Sequence, residues 1–215
     1  FAFQFKIVYN ISMSIAFCIG NGESRRNYDL TYLRRYGKLY GSNAIYRDTN
    51  VDYLICGDRR MVDEALHNNY TGMIYTKKDY VMFFKTPQVK VLPDFDWQQD
   101  IKWKQYYHWG SGLHAVHLAL KSNCNRLFMI GHDVTGNDSN LYAGTENYHA
   151  KDFTVDPIFW VKQFGMLIDM YPNVEFCFIQ DLDKWALTKT WTGLNTTTIS
   201  FTEAERIIKN GNSKT

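Results

Sequence analysis

The pentapeptide Gly20-Asn21-Gly22-Glu23-Ser24 is the first stretch of this 215-residue chain whose composition suits chemistry. Two positions without side chains leave backbone N–H groups open to form an anion-binding nest, and Ser24 adds a hydroxyl for a phosphate oxygen. The stretch has neither the third glycine of a dinucleotide fingerprint nor the Gly-Lys-Ser/Thr of a Walker loop. On its own it reads equally as a phosphate cradle or a tight structural turn. If it is a cradle, Gly22→Val is expected to remove nucleotide binding and leave the fold largely intact, because a β-branched side chain blocks backbone approach to the phosphate. Three further polar residues stand where apolar runs end: Asn43 in YGSNAIYRD, Asp58 in ICGDRR and Asp133 in IGHDVTG. If those runs are parallel strands, all three converge with the glycine turn on one sheet edge and form a ligand site there. His149 lies in the polar stretch YAGTENYHAKD, where an exposed imidazole can act as a base near neutral pH.

Other chemistry-bearing residues have plainer readings. Asp94 to Asp96 (DFD) and the stretch GNDSN hint at metal-binding loops, yet neither carries a full ligand set, and both read as solvated carboxylates. His114 and His117 are three apart on an apolar helical stretch with no third ligand in view, and read as core or interface histidines. Cys18, Cys56, Cys124 and Cys177 are scattered without a CxxC pair, the pattern of buried thiols in a reducing cytoplasm.

The elements that must position these residues alternate. IAFCIG, KLYGSN, DYLICGD, TGMIYTK, QVKVLP, RLFMIGHD and VEFCFIQ read as strands ending in turn residues, with VEFCFIQ the last strong one. YDLTYLRRYG reads as a short helix with Leu30, Leu33 and Tyr36 on one face. RRMVDEALHN, SGLHAVHLALKSN and DPIFWVKQFGMLIDMYP read as helices, and TEAERIIKNG as a closing helix with a Thr cap. Strands separated by helices imply α/β architecture: one Rossmann-like domain over residues 13–215, with a mostly parallel sheet flanked by helices. Residues 1–12, ahead of Met13, read as a non-native or upstream extension. Gln4, Lys6 and Asn10 break their apolar character too often for a membrane span. A net charge of +2 argues against a nucleic-acid partner, and the 45% hydrophobic, 21% charged composition is that of a globular domain.

FCIGNGESRRNYDLTYL, followed by YGSNAIYRD, resembles the start of the bacterial lipo-oligosaccharide sialyltransferases. In that family the first strand ends in a Gly-Asn-Gly-Pro-Ser turn and the second at an Asn before a Tyr-containing segment. A second block, GSGLHAVHLALKSNCNRLFMIGHDVTGNDSNLYAG, is similar to the family's Ser-Gly helix, its strand ending in Gly-Ile-Asp and its downstream Tyr. The resemblance spans residues 15 to 165 with a gap in the middle. It implies a cytoplasmic enzyme with no cofactor or metal, which transfers a sugar with inversion from a CMP-type donor to a glycan hydroxyl. Homo-oligomerisation is left open.

Residue by residue, the resemblance implies that Gly20, Asn21, Gly22 and Ser24 hold the donor's phosphate and ribose side. Asn43 matches a donor-contacting Asn, and Asp58 falls where the family has a second one. Ser111 and Gly112 match the Ser-Gly that meets the nucleotide, Tyr142 a phosphate-binding Tyr, and His149 the catalytic base. Asp133 and Thr135 fall in the same donor-binding block. The chain departs from the pattern at Glu23, which replaces the motif's Pro, at Thr135, which replaces a second phosphate-binding Tyr, and at His108 and Trp109, where an Arg is usual. Those departures keep two other readings open: a non-catalytic nucleotide-binding module, and a pyrophosphokinase-like enzyme of the same fold requiring magnesium and ATP.

Overall fold

Ile15–Ile19 (β1) is an unbroken apolar run, and all five residues are buried. A strand covered on both faces needs no polar alternation, which is why IAFCI reads as continuously hydrophobic. The strands Lys38–Ser42 (β2), Tyr53–Ile55 (β3), Met73–Thr76 (β4), Val89–Val91 (β5), Arg126–Ile130 (β6), Glu175–Ile179 (β7) and Thr196–Ile199 (β8) join it in one sheet. The order is β5-β4-β3-β2-β1-β6-β7-β8, and every neighbouring pair runs parallel. The helices are Arg59–His67 (α1), Lys78–Val81 (α2), Ser111–Lys121 (α3), Pro157–Met170 (α4) and Phe201–Gly211 (α5). This computed structural model describes residues 14–95, 109–134, 140–149, 157–180, 190–191 and 194–211. The proposed extension, His108, Asp96, Thr135 and most of GNDSN lie outside the described residues.

Side chains alternate across the sheet and build a core on each face. Phe17, Ile19, Phe128 and Ile130 pack with Met61, Val62 and Ala65 of α1 and with Ala204 and Ile208 of α5. Ala16, Cys18, Leu127 and Met129 point the other way, onto Leu113 and Val116 of α3 and Val161, Phe164 and Leu167 of α4. Phe17 and Phe128 stack across the β1–β6 pair with ring centroids 5.4 Å apart. Burying one such side chain stabilises the fold by about 2–3 kcal/mol. The four cysteines are buried free thiols, and burial pushes their pKa values up, that of Cys124 to about 11. Among the described residues, no helix is long and apolar enough to cross a membrane.

Two local expectations give way, and one strand was not expected. YDLTYLRRYG forms only a 3-10 turn at Leu33–Arg35. Asp29 accepts hydrogen bonds from the Thr31 N–H at 2.8 Å and from its hydroxyl at 2.6 Å, a local side-chain turn that competes with helix. A weaker strand follows VEFCFIQ, because TTTI adds β8 at the sheet edge, where half-exposed threonines suit the position. The cap of α5 is Ser200 rather than Thr202, its hydroxyl accepting the Glu203 N–H at 3.2 Å.

Candidate functional site

Successive strands run outward from β1 to β5 on one side, and the chain then returns to place β6 on the other side of β1. The strand order therefore reverses between β1 and β6, and in open parallel sheets the crevice beyond the carboxyl ends of such strands binds ligands. A cavity of about 180 Å³ opens there. Of the residues expected from the sequence, Gly20, Asn21, Gly22, Asn43, Ser111, Gly112 and Asp133 line it.

The glycine turn is fused to the end of β6. Gly20 N–H donates to the Ile130 carbonyl and Gly22 N–H to the Gly131 carbonyl, both at 2.8 Å. A Cβ on Gly22 would stand 2.5 Å from Asp133 Cγ and 2.6 Å from the Gly131 oxygen, and a Cβ on Gly20 would overlap that same oxygen. Both glycines are therefore required by close backbone approach, and their N–H groups are not free to cradle an anion. Valine at Gly22 would disturb the fold as well as the crevice, which overturns the expectation of an intact fold.

Ser24 is also committed. Its N–H donates to Asp133 Oδ2 at 2.7 Å and its hydroxyl to Oδ1. Glu23 turns outward onto Arg26, whose guanidinium holds the Glu23 carboxyl below its usual range. The carboxylate beside the turn that comes from an expected site residue is thus Asp133, not Glu23.

The opposite wall is the start of α3. Its first intrahelical bond runs from His114 N–H to the Gly110 carbonyl, so Ser111, Gly112 and Leu113 present N–H groups with no partner inside the helix. Together with the helix dipole, these give that wall a positive character. The Ser111 hydroxyl donates to Asn43 Oδ1 and accepts the Gly57 N–H, both at 2.9 Å. It ties the ends of β2 and β3 to α3, with Asn43 held at a φ of 52° in the left-handed region that Asn tolerates.

Among the crevice residues, the aromatic pair Trp160 and Phe164 escaped the sequence reading, and His132 entered it only as an alternative base should His149 be ruled out. Trp160 and Phe164 stand four apart on α4 and share a face, a spacing visible in FWVKQF but indistinguishable there from ordinary core. His132 precedes Asp133 and is 7% exposed. Burial lowers its imidazole pKa to about 4, partly offset by a hydrogen bond with the Cys18 backbone.

Tyr142, Asp58 and His149 are not in the cavity wall. Tyr142 is buried: Arg25 Nη2 donates to its hydroxyl at 2.7 Å, and that hydroxyl donates to Asp48 Oδ2 at 2.7 Å. Arg25, itself 3% exposed, also bonds the Gly20 carbonyl and pairs with Asp48 at 2.9 Å. Burial raises the Tyr142 pKa well above the usual phenol value, and Asp48 adds to the rise. This hydroxyl is a structural link rather than an open phosphate donor. Asp58 is exposed at the start of α1, where its carbonyl accepts the Met61 N–H at 3.1 Å.

His149 is exposed, one residue past Tyr148, whose hydroxyl accepts a hydrogen bond from Asn21 Nδ2 at 3.0 Å. The loop that carries it is fastened by Arg47, which donates to Thr145 Oγ1 and the Glu146 carbonyl, and by Glu64, which accepts from Asn147. Burial works to raise the Glu64 pKa, but hydrogen bonds from Tyr46, Asn147 and Arg47 outweigh it and hold the carboxyl below its usual range. His114 and His117 pack against Phe95 in the core, with centroids 4.8 and 4.4 Å away. Among the described residues, no three His, Cys, Asp or Glu side chains group as metal ligands.

No protein-family model matches the chain, and no curated protein does. Solved structures do. The sialyltransferase Cst-II in complex with CMP is 14% identical, with a TM-score of 0.51 over 86% of this chain and 89% of that one. An α-2,3-sialyltransferase from Campylobacter jejuni in apo form is 14% identical over 98% of both chains, with a TM-score of 0.48. Cst-II from Campylobacter jejuni with the substrate analogue CMP-3FNeuAc is 15% identical over 77% of this chain and 80% of that one, with a TM-score of 0.44. The first of these likenesses establishes a shared fold.

Proposed function

We propose that the chain is a glycosyltransferase of sialyltransferase type, which binds a CMP-type nucleotide sugar in the switch-point crevice and transfers the sugar to a glycan hydroxyl with inversion. The observation that carries this reading is the crevice itself. It lies between the glycine turn and the α3 N-terminus, in a fold shared with a sialyltransferase crystallised with CMP. In the proposed reaction the acceptor oxygen bonds to the anomeric carbon as the bond to the donor phosphate oxygen breaks. The acceptor's proton passes to His149, and the negative charge left on the nucleotide phosphate falls to the N–H groups of Ser111 and Gly112. The Ser24 and Tyr142 hydroxyls support this scheme only indirectly, through Asp133 and Arg25.

A second reading, a nucleotide-binding module without turnover, is favoured by those same commitments of Ser24 and Tyr142 and by the place of His149 outside the cavity wall. Calorimetric titration with CMP, paired with an assay for CMP release from CMP-sialic acid, separates the two. Binding with release supports the transferase, binding without release supports the module, and absence of CMP binding contradicts both. Tight ATP binding that depends on magnesium would instead point to a pyrophosphokinase-like enzyme.

A further inference from the structure

Buried polar atoms in folded proteins almost always have hydrogen-bond partners, so each one without a partner calls for an explanation. Two such atoms belong to residues of the crevice wall: His132 Nε2 and Asn21 Oδ1, each closed off from solvent and without a hydrogen-bond partner. Asn21 is fixed by the hydrogen bond its side-chain N–H donates to the Tyr148 hydroxyl and by the Leu141 N–H on its carbonyl. The His132 ring is packed edge to face on Phe164, with centroids 5.3 Å apart, and a Cβ on Gly112 would lie only 3.0 Å from its Cε1. A hydrophobic residue would fill that space without leaving a polar atom unpaired, so packing alone does not account for an imidazole.

The geometry points to His132 as the residue that reads a hydrogen-donating group of the ligand in this crevice, with Asn21 Oδ1 as a second acceptor in the same wall. The imidazole stays neutral well below neutral pH, and its other nitrogen faces the Cys18 backbone, so Nε2 carries the lone pair. The χ2 torsion of a histidine is broad, so the ring can turn toward a ligand without a change of χ1. Two acceptors suit a group with two hydrogens to donate. On a cytidine nucleotide that group is either the exocyclic amine of the base or the ribose cis-diol. The inference rests on the proposal that the crevice holds a nucleotide.

The test is calorimetric titration of CMP, UMP and 2′-deoxy-CMP into the wild type, His132→Leu and His132→Gln. The wild type should prefer CMP by about tenfold over the nucleotide lacking the recognised group, the usual effect of leaving a buried acceptor unpaired. UMP as the weak ligand assigns the amine, and 2′-deoxy-CMP assigns the ribose. His132→Leu should bring the preference close to one, while His132→Gln, which keeps an acceptor, should retain much of it. Equal affinity of the wild type for all three nucleotides overturns the role of His132, as does a preference unchanged in His132→Leu. If His132→Leu does not fold, His132→Phe, which fills the ring's space without an acceptor, takes its place, and a preference it leaves unchanged overturns the role of His132. Absence of binding by the wild type to any of the three overturns the nucleotide reading, and this inference with it.

Discussion

Two polar regions flank the glycine turn, and they differ in what their hydrogen-bonding groups have left to offer. On one side Arg25, Tyr142 and Asp48 bond one another and the Gly20 carbonyl. On the other, His132 Nε2 and Asn21 Oδ1, buried atoms of crevice-wall residues, have no hydrogen-bond partner, and the first N–H groups of α3 have none inside their helix. Residue types that could do chemistry occur in both. The contrast teaches that residue identity marks a candidate, whereas remaining hydrogen-bonding capacity separates a ligand wall from a structural brace.

Perturbing the brace should give the largest effect. Arg25→Ala leaves Tyr142 and Asp48 without their cation and should destabilise the protein by about 3 kcal/mol, read as a shift of the denaturant midpoint. A shift close to zero would erase the distinction between the regions. Gly20→Val drives a side chain into the Gly131 carbonyl and should cost about 1–3 kcal/mol. At roughly 2–4 °C per kcal/mol for a chain of this size, calorimetry should register a clear fall in melting temperature.

Titration sharpens the contrast from both sides. His132 has a folded pKa depressed below its unfolded value, so the stability tied to its neutral form is complete above about pH 6.5 and is lost as pH falls through about 4. His132→Leu should flatten that part of the stability–pH curve, and an unchanged slope would show that the His132 imidazole does not contribute to it. Glu64, also depressed, contributes stability that is present above the ordinary carboxylate range and lost as pH falls through its lowered folded value. Glu64→Gln should therefore lower stability at neutral pH and reduce its loss in acid. The smallest effect is expected at Glu23, whose pair with Arg26 is solvated: Glu23→Ala should leave both melting temperature and CMP affinity unchanged.

Much of the sheet was legible, because buried parallel strands such as IAFCI and RLFMI are continuous apolar runs bounded by turn residues. β8 was not, since the polar TTTI is suited to an edge and carries no apolar signal. The convergence of Gly20, Asn43 and Asp133 on one edge followed from parallel topology alone. The commitments of Ser24 and Tyr142 could not be read, because their partners Asp133, Arg25 and Asp48 lie far away in the chain, and only the closed fold brings them together. His132 was legible only as an alternative base, because a polar residue next to a strand-end Asp looks like turn chemistry until its burial is known.

The central claim, that the switch-point crevice rather than the Arg25 brace is the nucleotide site, is tested most directly by titrating CMP into the isotope-labelled protein and following backbone amide resonances. Saturable shifts are expected at Asn21, Ser111, Gly112 and His132, with the amides of Asp48 and Thr49 little changed. Shifts confined to the Arg25–Asp48 side, or none at the α3 N-terminus at saturating CMP, would contradict it.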